Sequence, residues 1–304
     1  MANVHYDSAF TDEQRREAIY AGDLFVYSPT QSSLELVAFA RQMVVEAFAP
    51  HDPELAQFAL PVEQFAAILG KLKPAFIHHP RCKELLPKMM ADVGCSISDH
   101  YFDVPRMRTA ASGDYLSSGI AYAFHPHRDT WYSAPMCQIN WWMPMYPIAA
   151  DNSMAFHPHH FSNPLKNSSS KYNYQEWNRT SRFNAAQQIG KDTREQPHAL
   201  EPVQTDPQIR LLPPPGGLIM FSAAQLHSTV PNTSGRTRFS IDFRTVHVGD
   251  ARELRGARNI DSWSTGTTMG DYLRGTDLSH LPSDATQLYD AGHPKYPASP
   301  GTAQ

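Results

Sequence analysis

The chain predicts an α+β protein with a mainly β core, braced by helices at its N-terminal end. Apolar residues at helical spacing are confined to positions 11–92. From position 100 onward the apolar runs shorten, alternate with polar residues and are separated by Gly, Pro, Ser and Asn, as an antiparallel sandwich or jelly roll requires. A hydrophobic content of 41% and an aromatic content of 11% are ample for a buried core. A length of 304 residues allows one large or two small domains. A single domain over 1–304 is expected, with a mainly helical layer at 1–99, a β core at 100–247 carrying an insert at 163–210, and an extension at 248–304.

In chain order, Thr11 and Gln14 have the form of a capping box opening a short helix, and 23–27 reads as a strand. Ser33 precedes Leu34, Leu36, Val37, Phe39, Ala40, Met43, Val44, Ala47 and Phe48, an apolar face at helical spacing that stops at Pro50. Two further helical stretches are expected near 61–72 and 81–92. Strands are expected at 101–109, 119–127, 137–143, 153–157, 217–221 and 238–246. Residues 163–210 are polar, with Tyr172, Tyr174, Trp177 and Arg179 embedded, and have the length of a functional lid or a surface excursion. The extension, with Trp263 and many Gly, Pro, Ser and Thr, is left three uses: covering a site mouth, forming a homodimer, or wrapping the surface.

A formal charge of −4 with no run of Lys and Arg gives no reason to expect nucleic acid or an anionic membrane as partner. No apolar run is long enough to span a bilayer, and the first residues lack the basic and apolar regions of a signal peptide. Cys82, Cys95 and Cys137 are odd in number and contain no CxxC pair, which argues against a disulfide framework or a thiolate metal site. A cytoplasmic location is expected.

The chemistry-bearing feature is His127-Arg128-Asp129 followed by His227. Side chains at i and i+2 of a strand share a face, so His127 and Asp129 can grip one ion together, with His227 arriving from a distant strand. Two imidazoles and one carboxylate occupy one face of a six-coordinate ferrous ion and leave three positions open. Arg238, 238 − 227 = 11 positions after the second histidine, can pair its planar fork with the far carboxylate of a keto acid bound to that ion. Arg236 and Arg244 share its strand parity. Arg236 lies nearer the turn and Arg244 about 20 Å farther along the strand. On 138–142, alternation sets Gln138, Asn140 and Trp142 on one face, making Asn140 and Trp142 candidate co-substrate contacts. The opposite parity, with Ile139 and Trp141 inward, stays open.

These residues, with Pro214-Pro215-Gly216-Gly217-Leu218-Ile219-Met220-Phe221 and Asn152-Ser153-Met154-Ala155-Phe156-His157-Pro158-His159-His160, resemble the phytanoyl-CoA dioxygenase branch of the Fe(II)/2-oxoglutarate-dependent oxygenases over roughly residues 100–247. Ser153 stands where that family's turn has Gly, and His159 intrudes where Gly-Ser is usual. The resemblance implies a double-stranded β-helix, cupin-like in architecture, with Fe(II) held by His127, Asp129 and His227. It also implies 2-oxoglutarate anchored by Arg238 and Thr229, and O2 as oxidant. The implied reaction couples oxidative decarboxylation of 2-oxoglutarate to C–H oxidation of a small organic metabolite, with natural-product biosynthesis as the expected setting. Hydroxylation is the usual outcome and desaturation, cyclisation or epoxidation are alternatives. A non-catalytic scaffold on the same barrel is the alternative from another class.

Other metal readings fare less well. His125-Pro126-His127 would need a nearby glutamate to make a cupin site, and positions 128–150 contain none. His157, His159 and His160 lack a Cys or carboxylate at ligand spacing and read as exposed loop histidines. Asp129 disfavours a halogenase, in which a small residue replaces the carboxylate. Candidate substrate contacts are Tyr122, Phe124, His125, Trp131, Tyr132, Arg106 and Arg108, a mixture that suits a compact organic molecule bearing a carboxylate or other polar group.

Overall fold

A computed structural model describes residues 2–121, 125–181, 188 and 192–290. The N-terminal layer holds β1 (Val4–Tyr6), α1 (Asp12–Tyr20), β2 (Leu24–Tyr27), α2 (Gln31–Phe48), α3 (Val62–Ile77) and α4 (Pro80–Asp92). The Thr11–Gln14 capping box forms as expected, with reciprocal side-chain and backbone hydrogen bonds. A second box, Thr30 with Ser33, starts α2 three residues before the position inferred from the apolar stripe.

Next come β3 (His100–Phe102), β4 (Arg106–Ala110), β5 (Ile139–Pro144), β6 (Met154–Phe156), α5 (Tyr174–Thr180), β7 (Leu218–Ser222), β8 (His227–Thr229), β9 (Arg238–His247), α6 (Val248–Glu253), β10 (Leu273–Arg274) and α7 (Ser283–Thr286). The large sheet runs β1-β2-β7-β5-β9-β3-β10, with β4 also paired to β9, and a two-stranded sheet joins β6 to β8. The result is an α+β fold with a large, mainly antiparallel sheet, consistent with a jelly-roll type.

Two strand expectations need correction. The stretch 101–109 is broken into β3 and β4, because Pro105 lacks an N–H and restricts the residue before it. The stretch 119–127 is not one strand: Gly119–Ala121 is a helical turn and His127 makes only an isolated bridge to His227.

Alternation gives the large sheet two different faces. Phe25, Tyr27, Ile139, Trp141, Met143, Leu218, Met220, Phe239, Ile241 and Phe243 pack against α2, α3 and α4 in one core. Trp142, Ile219 and Phe221 face the other way, toward Met154 and Phe156 of the small sheet. Trp141 is fully buried, stacks on Phe243 at 5.1 Å and donates its indole N–H to Thr245 Oγ1 at 2.9 Å. The extension does more than wrap the surface: Ala251, Met269, Tyr272, Leu281, Ala285 and Tyr289 bury themselves with Tyr101, Cys137 and Val246. Asp250 on α6 pairs with Arg16 of α1 and accepts from Tyr20 Oη at 2.8 Å. All three cysteines are buried and unpaired. Among the described residues no helix is long and apolar enough to cross a membrane.

Trp141→Ala is expected to lower unfolding free energy by about 3–5 kcal/mol in denaturant titration, the cost of a large buried cavity plus a lost hydrogen bond. His100 gives a pH signature. Burial pushes its pKa down to about 4, against the pull of Asp12. The unfolded chain therefore binds a proton that the folded chain refuses between about pH 6.5 and 4, so stability falls as pH drops through that window. His100→Gln is expected to remove up to about 3 kcal/mol of that loss in denaturant titrations at pH 7 and pH 4.5.

Candidate metal centre

His127 and His227 sit opposite one another through a reciprocal pair of backbone hydrogen bonds, each N–H donating to the other's carbonyl at 3.0 Å. β8 extends from His227 and pairs with β6, setting Phe156 opposite His227 and Met154 opposite Thr229. The two imidazole centroids lie 4.3 Å apart. Each Nδ1 contacts the carbonyl two residues before it, His125 at 2.8 Å and Gln225 at 2.9 Å. A carbonyl only accepts, so each Nδ1 carries a proton and each Nε2 is the ring nitrogen turned toward Asp129.

Arg128 is in extended conformation, which turns it away from its two neighbours. It is 1% exposed and locked by Asp261 and by the carbonyls of Ala224, His160 and Asn163. Asp129 opens the turn Asp129–Tyr132. Its Oδ1 lies 3.5 Å from His127 Nε2 and 3.8 Å from His227 Nε2. Burial raises the Asp129 carboxyl, but hydrogen bonding to His127, the charges of both histidines and the Asn140 side chain hold it down to about 2. Burial, with His127 adding to it, pushes His227 down to about 4. Two imidazole nitrogens and a carboxylate oxygen thus converge within 4.8 Å of one another, a donor set that fits a divalent cation of borderline hardness.

β5 runs away from this cluster. Gln138 Nε2 donates to Asp129 Oδ2 at 3.3 Å and to Asn140 Oδ1 at 2.7 Å. Trp142, on the same face, lies beneath Arg238, whose guanidinium carbon is 5.7 Å from its ring. Gln138, Asn140 and Trp142 therefore line the strip from Asp129 to Arg238, while Ile139 and Trp141 face the helical core. Arg238 is 6% exposed and donates through Nη1 to the carbonyls of Asn152 and Ser153 at 3.0 and 2.9 Å. Its Nε has no hydrogen-bond partner, and among the described residues no carboxylate forms an ion pair with it. Burial, helped by Arg108, lowers its pKa to about 10. An unpaired buried cation next to a row of polar groups is expensive unless an anion joins it. Thr229 shares a face of β8 with His227, on the strand between that ligand and the backbone that holds Arg238.

The substrate-contact expectations divide. Trp131 is fully buried and donates its indole N–H to Asp261 at 2.8 Å, which anchors the turn. Tyr132 does stand beside the cluster, its ring 5.6 Å from that of His127 and its hydroxyl donating to Pro197 O at 3.0 Å. Tyr172 from the insert continues the row at 5.6 Å. His125 is exposed and supplies the carbonyl that orients His127. Arg106 is held by Asp103, and Arg108 pairs bidentately with Asp242 at 2.7 and 3.0 Å. Tyr122 and Phe124 lie outside the described residues. His157 and His160 are buried, contrary to expectation, because the insert folds back on their rings through the carbonyls of Thr205 and Gln204.

Sequence reasoning passed over several neighbours. Position along the strand puts Arg244 about 20 Å from Arg238 and gives no sign that it lies beside the metal cluster. That separation instead brings its Nε to 4.0 Å from Asp129 Oδ2, with Nη1 on Asp103. Register explains this, since Arg244 pairs with Asn140 on β5. Lys73 on α3 donates to Ile120 O, and burial with Arg108 lowers its pKa to about 7.

No protein-family model matches the chain, and no curated protein matches it. Among solved structures it is similar to EvdO2 from Micromonospora carbonacea var. aurantiaca, alone and complexed with 2-oxoglutarate. Both are 13% identical, cover 79% of this chain and 92% of that one, and give TM-scores of 0.44 and 0.43. It is also similar to SnoN, a non-heme alpha ketoglutarate dependent epimerase from nogalamycin biosynthesis, at 13% identity, 78% and 82% coverage and a TM-score of 0.39.

Asp129→Ala is expected to abolish high-affinity Fe(II) or Co(II) binding in anaerobic equilibrium dialysis while leaving the thermal midpoint of the metal-free protein within a few degrees of wild type. A variant that binds the ion as tightly as wild type would remove Asp129 from the ligand set.

Proposed function

We propose that this protein is an Fe(II)/2-oxoglutarate-dependent oxygenase of the phytanoyl-CoA dioxygenase-like type, built on a double-stranded β-helix and acting on a small organic molecule in specialised biosynthesis. The observation that carries the reading is the pairing of two features at opposite ends of one strip. At one end His127, Asp129 and His227 aim three lone pairs at a common point. At the other, Arg238 lies buried, its Nε without a hydrogen-bond partner and, among the described residues, no carboxylate in ion-pair contact with it.

In this reading His127, Asp129 and His227 hold the iron, and Arg238 with Thr229 receives the distal carboxylate of 2-oxoglutarate. Asn140 and Trp142 form the floor between them. Bound iron with 2-oxoglutarate and O2 supplies an oxidant able to take hydrogen from a C–H bond. The balance for hydroxylation is substrate R–H, 2-oxoglutarate and O2 giving R–OH, succinate and CO2, with one oxygen atom in the alcohol and one in succinate. The chain's own contribution is positional. The N–H of each Nδ1, tied to a carbonyl, fixes the orientation of both rings and turns each Nε2 toward Asp129. Trp142 and the apolar cluster of Phe156 and Phe221 exclude water from one side of the strip. Tyr132 and Tyr172 stand where a substrate would approach.

Arg238→Ala tests the anchor. Loss of one partner of a buried charge pair costs about 3 kcal/mol, so the 2-oxoglutarate concentration for half-maximal succinate formation is expected to rise roughly 100-fold. Fe(II) affinity should stay near wild type. An unchanged 2-oxoglutarate requirement would contradict the assignment and pass the role to another cation.

A further inference from the structure

Besides Asp261, which holds Arg128 and Trp131, the C-terminal extension reaches toward Asp129 through a second polar line. Tyr272, 1% exposed, places its hydroxyl 2.6 Å from Gln138 Oε1. Gln138, 2% exposed, turns its amide nitrogen to Asp129 Oδ2. The direction of this line follows from chemistry alone. An ionised carboxylate only accepts, so the Gln138 atom facing Asp129 is the N–H group. The amide oxygen then faces Tyr272, whose phenol must donate. Burial raises the Tyr272 phenol well above its ordinary range, so it stays protonated and available as that donor.

We infer that Tyr272 and Gln138 are positioning residues for the metal ligand Asp129. They hold Oδ2 so that Oδ1 alone is presented to the ion. This rests on the reading of His127, Asp129 and His227 as a metal centre. A carboxylate is free to bind through one oxygen or two. Engaging Oδ2 with the Gln138 N–H, with Arg244 Nε 4.0 Å away on the same oxygen, favours the one-oxygen mode and leaves an additional coordination position open. Ligands oriented in this way by outer partners typically lose 10- to 100-fold in metal affinity, about one to two powers of ten, when the partner is removed. The extension thereby becomes part of the site, although no residue of it lies within the triad.

The test is anaerobic Co(II) titration of the metal-free, full-length protein, reading both the dissociation constant and the visible ligand-field spectrum, which reports coordination number. Tyr272→Phe and Gln138→Leu are each expected to weaken binding roughly 10-fold and to shift the spectrum toward higher coordination. The double variant should lose no more than Gln138→Leu alone, since Tyr272 acts through Gln138. Tyr289→Phe removes a hydroxyl from the same apolar cluster, where it donates to Ala251 O, and should leave affinity and spectrum at wild type. If wild type binds Co(II) and both single variants keep its affinity and spectrum, the inference is overturned while the metal reading stands. An equal loss in Tyr289→Phe would also overturn it, by tracing the effect to general loosening of the cluster. Failure of wild type itself to bind would overturn both.

Discussion

The reciprocal backbone hydrogen bonds between His127 and His227 are the constraint from which the rest of the site follows. Those two 3.0 Å bonds place residues 100 positions apart directly opposite one another, so both imidazoles leave the backbone on one side. Arg128, turned the other way and held by four acceptor groups, then leaves Asp129 little choice but to complete the cluster. The site is therefore preformed by backbone geometry and by a buried cation outside it, which keeps the cost of ordering ligands from falling on metal binding.

The large sheet supplies the second requirement, separation of chemistry from stability. On β5 and the residue before it, Ile139, Trp141 and Met143 belong to the helical core, whereas Gln138, Asn140 and Trp142 line the strip between Asp129 and Arg238. β9 repeats the division, with Phe239, Ile241 and Phe243 in the core and Arg238, Asp242 and Arg244 on the other face. A one-residue slip would exchange these sets and bury charges against the helices, so the apolar face fixes the register of the polar one.

Much of this was legible in the sequence because it depends on period. The helical stripe of α2, the capping box at Thr11 and the parity of 138–142 are local patterns, and each corresponds to its element or face in the structure. What escaped was non-local. Nothing near Tyr272 marks it as a neighbour of Gln138, 134 residues away, and nothing near Arg244 places it beside Asp129, because distance along a strand says nothing about which partner strand lies alongside. Closeness in sequence to Asp129 suggests a substrate contact for Trp131, whereas its indole N–H bonds to Asp261 of the extension. The break at Pro105 was readable from the residue itself, while the helical turn at Gly119–Ala121 ran against an apolar run that suggested a strand.

The central claim joins the two ends of the strip: an ion at the triad and a keto acid that spans from it to Arg238. The most direct measurement is the visible absorption of the anaerobic Fe(II)-loaded protein on addition of 2-oxoglutarate. A metal-to-ligand charge-transfer band that appears with wild type, saturates at one equivalent per chain and requires higher 2-oxoglutarate in Arg238→Ala is the predicted result. Bound Fe(II) with no band at any 2-oxoglutarate concentration would contradict it.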